Sequence, residues 1–564
     1  MTILQPSNLN KRAAWLLGGA AAFVYLYGLG RLPFLGPDEP RYAQVGREMY
    51  ERGDWVTPTL GGHPWFEKPA ALYWLEIIGY KLFGVSEGAA RLGPALCGLL
   101  TVALLYVIAK RSEPATSEER NAPRAAAFSL LAPRSSLLAL WCSLTLATSL
   151  GLLAFARAAS FDIVLTATVT LAVACFWGAE TAETDGARNG WMAGWWAALG
   201  AATLAKGLAG LVLPGGIVFL YFALRRAWPA RGWWLSMLWG VPLMILTASL
   251  WYAPVIRRHG WLFVDEFFLQ HHFARYTSNK YRHPGPVWYY LPVMAGLTLP
   301  WTPFLIAALW DVKQWTWRTK DKLNKGHVLA LAWLVWPMLF FSLSGSKLPG
   351  YVLPALPGAA WLAGSRLAGW QFNETKSGWP LRSTCLLFLL FAAGVLVYVK
   401  LTGVVSWGCA LGVAAPLALA GAWAWARPRA GVWVLAGATL LAFAWPLHCD
   451  LTKVTRRESV RDLVQQAAAR GYGGATVYHL HAVEHGAWFY AAGRVATDAQ
   501  GEPVKFEGAA QLRDALRQRG GGPALAFIPL EHLAQLTKNT ELRAEVIGDN
   551  GWLALVAVRL AARQ

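Results

Sequence analysis

Charge is scarce in this chain. Only 15% of its 564 residues are Asp, Glu, Lys or Arg, where a soluble protein carries about 25%. Cysteine is sparse too: Cys97, Cys142, Cys175, Cys385, Cys409 and Cys449 all lie in or at the edge of apolar stretches. None has a zinc-type spacing, and the residues after Cys449 contain no cysteine that could staple them. No Walker-type phosphate loop or dinucleotide fingerprint occurs in a suitable context, so the common nucleotide-binding machines are set aside. The first apolar segment, Ala13–Leu32, follows Lys11 and Arg12 and has no small-x-small cleavage site after it. It reads as a retained signal anchor.

What is present in excess is apolar surface. Hydrophobic residues make up 55% of the chain, and mean hydropathy is +0.35. Runs near the ~20 residues that span a bilayer recur over the first 450 positions. They are Ala13–Leu32, Leu92–Ala109, Leu137–Phe155, Ile163–Ala179, Trp191–Ala205, Leu208–Leu224, Trp233–Ile256, Val287–Trp310, Val328–Phe341, Val352–Leu367, Ser383–Val399, Val405–Ala426 and Gly431–Leu447, about thirteen spans. With the N-terminus inside, Lys110, Arg111, Arg225, Arg226, Lys313, Lys320, Arg427 and Arg429 fall in inner loops, as the positive-inside rule requires. The net charge of +19 therefore reads as loop charge rather than a nucleic-acid footprint. One inner loop dissents, because Glu180–Arg188 is net acidic.

This topology divides the chain into a transmembrane part, 1–449, with outer loops 33–91 and 257–286, and an outer soluble part, 450–564. Pro69–Phe83 in the first loop has the spacing of an interfacial amphipathic helix. The tail reads as a small α/β domain: helix Ser459–Arg470, strand Ala475–Leu480, helix Ala509–Arg519, strands Ala524–Leu530 and Trp552–Arg559.

The unusual polar residues collect on the outer side. Asp38, Glu39, Arg41 and Tyr42 follow the first span, and Glu67-Lys68-Pro69 comes later in the same loop. Arg157 and Asp162 occupy the turn between spans three and four, Lys206 ends span five, and Lys347 and Tyr351 follow span nine. The second loop carries Arg257, Arg258, Arg275, Lys280 and Arg282 against Asp265 and Glu266. An outer excess of cations suits phosphate, which Arg forks and Lys point charges hold. Blander readings compete: Asp38 as a helix cap, Asp162 as the cap of span four, and Lys206 snorkelling to the interface.

Asp38-Glu39 with Arg41-Tyr42, then Phe66-Glu67-Lys68-Pro69, His272-Phe273-Ala274-Arg275-Tyr276, Trp288-Tyr289-Tyr290 and Lys347-Leu348-Pro349-Gly350-Tyr351 together resemble the GT-C glycosyltransferases of the protein-mannosyltransferase type. Within that class the likeness is to the lipid A 4-amino-4-deoxy-L-arabinose transferases. The resemblance implies a polytopic helical GT-C fold with an outer α/β tail, in a bacterial inner membrane with the active site facing the periplasm. It implies transfer of the aminosugar from undecaprenyl phosphate to a lipid A phosphate by inverting displacement, and hence resistance to polymyxin and other cationic peptides. On that reading Asp38, Glu39 and Asp162 are catalytic. Arg41, Tyr42, Lys68, Arg275, Lys347 and Tyr351 hold the donor phosphate, and Glu67, Lys206 and Arg157 hold sugar or acceptor. No cofactor is required, with a divalent metal on Glu67 and His272 as the option. A phosphate acceptor is already largely dianionic near neutrality, so a strong general base is not needed. The alternatives are a GT-C enzyme moving another polyprenyl-linked sugar to protein or glycan, and a lipid or sugar transporter. A transporter would place its charges near the membrane midplane, often in repeated halves.

Overall fold

The computed structural model describes residues 6–113, 137–267, 285–318, 321–371, 378–449, 451–520 and 522–561. The long apolar segments fold as helix, the conformation that satisfies every backbone group without water. Among the described residues seven helices are long and apolar enough to cross a membrane: Glu87–Ser112, Phe161–Glu180, Arg231–His259, Lys322–Ser342, Trp379–Thr402, Trp407–Ala426 and Pro428–His448. An eighth is reached if Val287–Leu297 and Thr302–Gln314, bent by 119° at a short break, form one span. This is fewer than the thirteen expected. Leu16–Leu26, Leu138–Ala147 and Ala209–Arg225 are apolar helices too short to qualify alone, and the Asp185–Lys206 helix starts with a polar turn. Phe161–Glu180 is apolar all round and mostly buried, as a central helix must be. Arg231–His259 leaves Trp234, Leu238, Leu246 and Leu250 exposed, a face suited to lipid.

The first loop is compact. After helix α1 (Pro6–Leu26) come α2 (Asp38–Arg52), a hairpin of β1 (Thr59–Leu60) and β2 (His63–Pro64), α3 (Ala71–Phe83) and α4 (Glu87–Ser112). Gly53 ends α2 in the left-handed conformation, its N–H bonding the Met49 and Tyr50 carbonyls. The amphipathic helix expected in this loop forms. It packs between α2 and α4, burying Leu72, Tyr73, Ile77 and Tyr80 and also Glu76, while Lys81, Leu82 and Phe83 stay exposed.

In the tail β3 (Thr476–Leu480), β4 (Lys505–Phe506), β5 (Ala524–Pro529), β6 (Leu542–Asp549) and β7 (Leu553–Leu560) form one mixed sheet in the order β4-β3-β5-β7-β6. β3 is parallel to β4 and β5, and β7 is antiparallel to β5 and β6. The central β5 is buried along its whole length, with apolar cores on both faces. Helix Arg461–Ala467 contributes to one core and Ala509–Gln518 to the other.

The tail is anchored to the first loop. The Tyr490 hydroxyl accepts the Phe34 N–H at 2.8 Å and donates to Glu87 at 3.1 Å. Arg461 reaches the same carboxylate at 3.4 Å. Phe489 packs edge-on against Phe34, ring centres 4.8 Å apart. A second brace joins the last two membrane helices, where Cys409 and Cys449 form a disulfide. Sequence reading had no signal for that pairing, because the two are 40 residues apart.

At the other end of the bundle the Glu180 carboxylate gathers Tyr221 at 3.2 Å, Arg225 at 3.3 Å and Lys325 at 3.5 Å. Arg366 pairs with Asp311 at 3.1 Å. The dissenting acidic loop is thus partly explained: its first acid closes a polar clamp with cations from two other helices.

Candidate active site

The outer polar residues form two adjoining groups joined by Glu39. Asp38 is the first residue of α2, and no side chain caps that helix at its preceding residue, Pro37. The cap reading of Asp38 therefore does not hold. Its carboxylate is half exposed and receives an Arg41 N–H at 2.5 Å across one turn. Arg41 also bonds the Pro37 carbonyl and lies over the Trp65 ring. Burial disfavours the Arg41 charge, but Glu67 and Asp38 outweigh it and raise its pKa. The fields of two carboxylates therefore act on one guanidinium. Lys68 reaches Glu67 at 2.8 Å, with both side chains largely buried. Tyr42 is buried beside them, and burial followed by the fields of Asp38 and Glu67 raises its phenol well above the usual value.

The second group surrounds Asp162. Ser160, not Asp162, caps the Phe161–Glu180 helix, accepting the Asp162 N–H. The Asp162 carboxylate is thereby left to its ion pair with Lys206. That pair answers the snorkelling reading: the Lys206 ammonium is held inward at a carboxylate and sits 4.6 Å from the centre of the Tyr351 ring. Gly350 makes the approach possible, since a Cβ there would come within bonding range of the Asp162 carboxylate. Lys347, almost fully buried, donates to the Ser344 carbonyl at 2.6 Å.

Glu39 is filled on every lone pair. It accepts from Arg91 Nε at 3.0 Å and Arg91 Nη2 at 2.8 Å, from Leu35 N at 2.9 Å and from Ala159 N at 2.8 Å. Four donors saturate a carboxylate. Expected among the reacting groups, Glu39 instead ties α2 to the turn that carries Asp162. Arg91 continues the strut by donating to the carbonyls of Leu29, Leu32 and Pro33. The Tyr42 and Phe161 rings, 5.0 Å apart, pack across the same junction. Arg157, expected at sugar or acceptor, turns to the Val24 and Tyr25 carbonyls at the C-terminal end of α1. Arg258, expected among the phosphate-binding loop cations, lies in the last turn of the Arg231–His259 helix and pairs with Asp54 at 2.8 Å.

Arg275 and His272 lie outside the described residues. Among those described no group of three His, Cys, Asp or Glu side chains is arranged to hold a metal. An apolar cavity of about 530 Å³, lined by Phe391, Tyr398 and Cys409 among others, shares no residue with either group.

Three residues of this neighbourhood were not foreseen. Arg91 stood as a lone cation at the edge of an apolar run, a usable signal for a buried acid partner. Glu87 and Tyr490 carried none, their contact spanning 403 residues.

The chain has known relatives. The family model described as dolichyl-phosphate-mannose-protein mannosyltransferase matches residues 34–116 and 123–270. An undecaprenyl phosphate-alpha-4-amino-4-deoxy-L-arabinose arabinosyl transferase of Pseudomonas aeruginosa is 32% identical over 78% of this chain and 77% of its own length. A transferase of the same name from Edwardsiella ictaluri is 31% identical over 71% and 67%. In structure, ArnT from Cupriavidus metallidurans bound to undecaprenyl phosphate superposes with a TM-score of 0.75 at 26% identity, covering 96% of this chain and 97% of its own.

Proposed function

We infer the reaction from one premise: the chain belongs to the family of undecaprenyl phosphate-aminoarabinose arabinosyl transferases. The protein moves 4-amino-4-deoxy-L-arabinose from undecaprenyl phosphate to a phosphate of lipid A. That adds a cationic sugar to the outer surface, lowers its negative charge and gives resistance to polymyxin and related peptides. The observation that carries this reading is the pair of carboxylate–cation groups, Asp38–Arg41 with Glu67–Lys68 and Asp162–Lys206, set side by side across the Glu39 strut.

The chemistry asks for little covalent help. As the glycosidic bond breaks, negative charge grows on the polyprenyl phosphate, and preorganised cations stabilise it. Arg41, Lys68 and Lys347 are the described candidates, with Arg275 as a fourth and the Tyr42 and Tyr351 hydroxyls as neutral donors. Asp38, half exposed, orients the acceptor or meets the sugar ammonium. Glu67 and Asp162 offer further anionic contacts to that ammonium, with Lys206 setting the position of Asp162. Glu39 and Arg157 are assigned to the framework. The reaction draws its energy from the donor lipid and has no nucleotide requirement; a divalent metal would be held by Glu67 and His272.

The site belongs to a domain of residues 1–449 with about thirteen membrane segments, short and broken helices included, and the α/β domain 450–564 stands beside it. Both face the periplasm of the inner membrane. Two observations support that orientation. Inner loops carry the cation excess. The Cys409–Cys449 disulfide, at the outer ends of the last two helices in this topology, suits an oxidising compartment.

The test is mass spectrometry of lipid A from cells that make the donor lipid but lack their own transferase, supplied with this chain or with Asp38→Asn. A pentosamine-sized mass gain with the unaltered chain alone is expected. No gain with either chain, despite expression in the membrane, overturns the assignment of sugar and acceptor.

A further inference from the structure

Among the described residues, the tail segment Glu484 to Tyr490 lies against the helix that begins at Asp38. Its last four residues form a helical turn that packs on α2, the helix beginning at Asp38. Three contacts fix that turn. Tyr490 holds the Phe34 N–H, Phe489 stacks edge-on against Phe34 while Arg47 lies over its other side, and Trp488 presses on Gly61 so closely that a Cβ there would come within 2.8 Å of the indole. The start of the segment is fixed as well. The Glu484 carboxylate accepts the Gly486 N–H at 2.8 Å, and the His485 carbonyl accepts the Trp488 N–H at 3.2 Å.

His485 is thus held by both flanks. Its Nδ1 is enclosed by protein and has no hydrogen-bond partner among the described residues. A buried imidazole nitrogen left without a partner is costly, and such an atom beside a binding site is a place where a ligand restores the missing bond. The charged groups acting on this ring are Arg41 and Asp38. Burial, with Arg41 adding to it and Asp38 opposing, lowers the ring to about 4. It is therefore neutral at periplasmic pH and brings one N–H donor and one acceptor without adding charge to a site that already holds Arg41 and Lys68.

We propose that His485 is a substrate-binding residue of the active site, supplied by the C-terminal domain, and that it binds the acceptor phosphate beside Asp38 and Arg41. This rests on the reading of a phosphate-bearing acceptor given above and assigns the tail a direct part in acceptor selection. The donor phosphate is left to Arg41, Lys68, Lys347 and Arg275, whereas His485 approaches from the soluble side, where a lipid headgroup projecting from the outer leaflet presents itself.

The test uses the full-length protein in lipid nanodiscs, with the unaltered chain, His485→Ala and His485→Asn. Two readouts are taken: steady-state transfer with donor and lipid A varied separately, and direct binding of monophosphoryl lipid A, which needs no turnover. For His485→Ala the lipid A KM and the binding constant rise about tenfold, as for loss of one phosphate hydrogen bond, with the donor KM unchanged. Asn, which keeps an N–H donor near Nδ1, recovers most of the loss. Unchanged lipid A binding in the Ala variant overturns the proposal, as does an equal loss toward both substrates. If the unaltered chain transfers no aminosugar, the reaction assignment fails by itself, and the binding arm still decides the role of His485.

Discussion

The two ends of the helical bundle use the same side chains for different ends. At one end Glu180 is met by Tyr221, Arg225 and Lys325, and Asp311 is met by Arg366. One carboxylate faces several donors from separate helices, the arrangement of a clamp. At the opposite end Arg41 lies in the fields of both Glu67 and Asp38, and the Asp38 side chain keeps 52% exposure. Over-supplied donors fix helices to one another. A carboxylate that stays open to solvent beside a shared cation is free to exchange its partner for a substrate.

The largest expected effect separates these two roles. Asp38→Asn should lower transfer by about 10²–10³-fold, the scale of losing a preorganised charge at a reacting centre, while the thermal midpoint in detergent stays where it was. Glu180→Gln should do the opposite, lowering the midpoint with kcat kept in the surviving protein. Equal losses of kcat in the two variants would erase the distinction between clamp and site.

The adjacent residue makes a sharper test. Glu39→Gln keeps the shape but leaves Arg91, almost wholly buried, without its counter-charge. Breaking such a pair from one side costs about 3–5 kcal/mol. The expected result is a marked fall in the amount of folded protein in the membrane, measured by fluorescence-detected size exclusion. A Glu39→Gln protein as stable as the parent but inactive would return Glu39 to the reacting groups.

The contrast between Asp38 and Glu39 also marks how far sequence could see. Two acids in a row after the first span drew attention to the first loop. Which one faces solvent and which is a strut depends on Arg91, 52 residues away, and on a backbone N–H from Ala159. Local pattern was sufficient in the tail where strands are central: β3, β5 and β7 lie within a residue or two of their expected bounds. β4, two residues long, and β6, an edge strand with charged residues turned to solvent, carry too weak an apolar period to be read. Glu76 misled for the opposite reason. A charged residue at helical spacing normally faces water, and only the packing of α3 between α2 and α4 turns it inward. His485 sits in a stretch whose meaning comes entirely from docking on residues more than four hundred positions earlier.

Orientation provides a prediction of middle size. If the clamp is inside and the site outside, Cys409 and Cys449 should react with a membrane-impermeant maleimide applied from the periplasmic side, and only after reduction. Cys97, Cys142, Cys175 and Cys385 should stay unlabelled, since all four lie within apolar helices and Cys142, Cys175 and Cys385 are buried. Labelling only from the cytoplasmic side would invert the topology and move the acid-bearing loop to the inner face.

The smallest effect concerns Glu76, the acid that belongs to neither the clamp nor the site. Both its carboxylate oxygens are buried without a hydrogen-bond partner among the described residues, and Gly46 on α2 leaves just enough room for them. Burial, reinforced by the nearby Glu39 charge, raises its pKa well above the ordinary value. An acid whose folded pKa lies above its unfolded one binds more protons in the folded state. Its penalty is absent below the unfolded pKa of about 4.5 and grows as pH rises toward the folded pKa. Glu76→Gln cannot ionise, so it should raise the thermal midpoint at pH 8 by a few degrees, less at pH 6, and not at all at pH 4, with transfer activity kept. A midpoint that falls on substitution at pH 8 would mean that the carboxylate is charged and compensated in the folded protein, which would make Glu76 a part of the outer charge network rather than a neutral resident of its core.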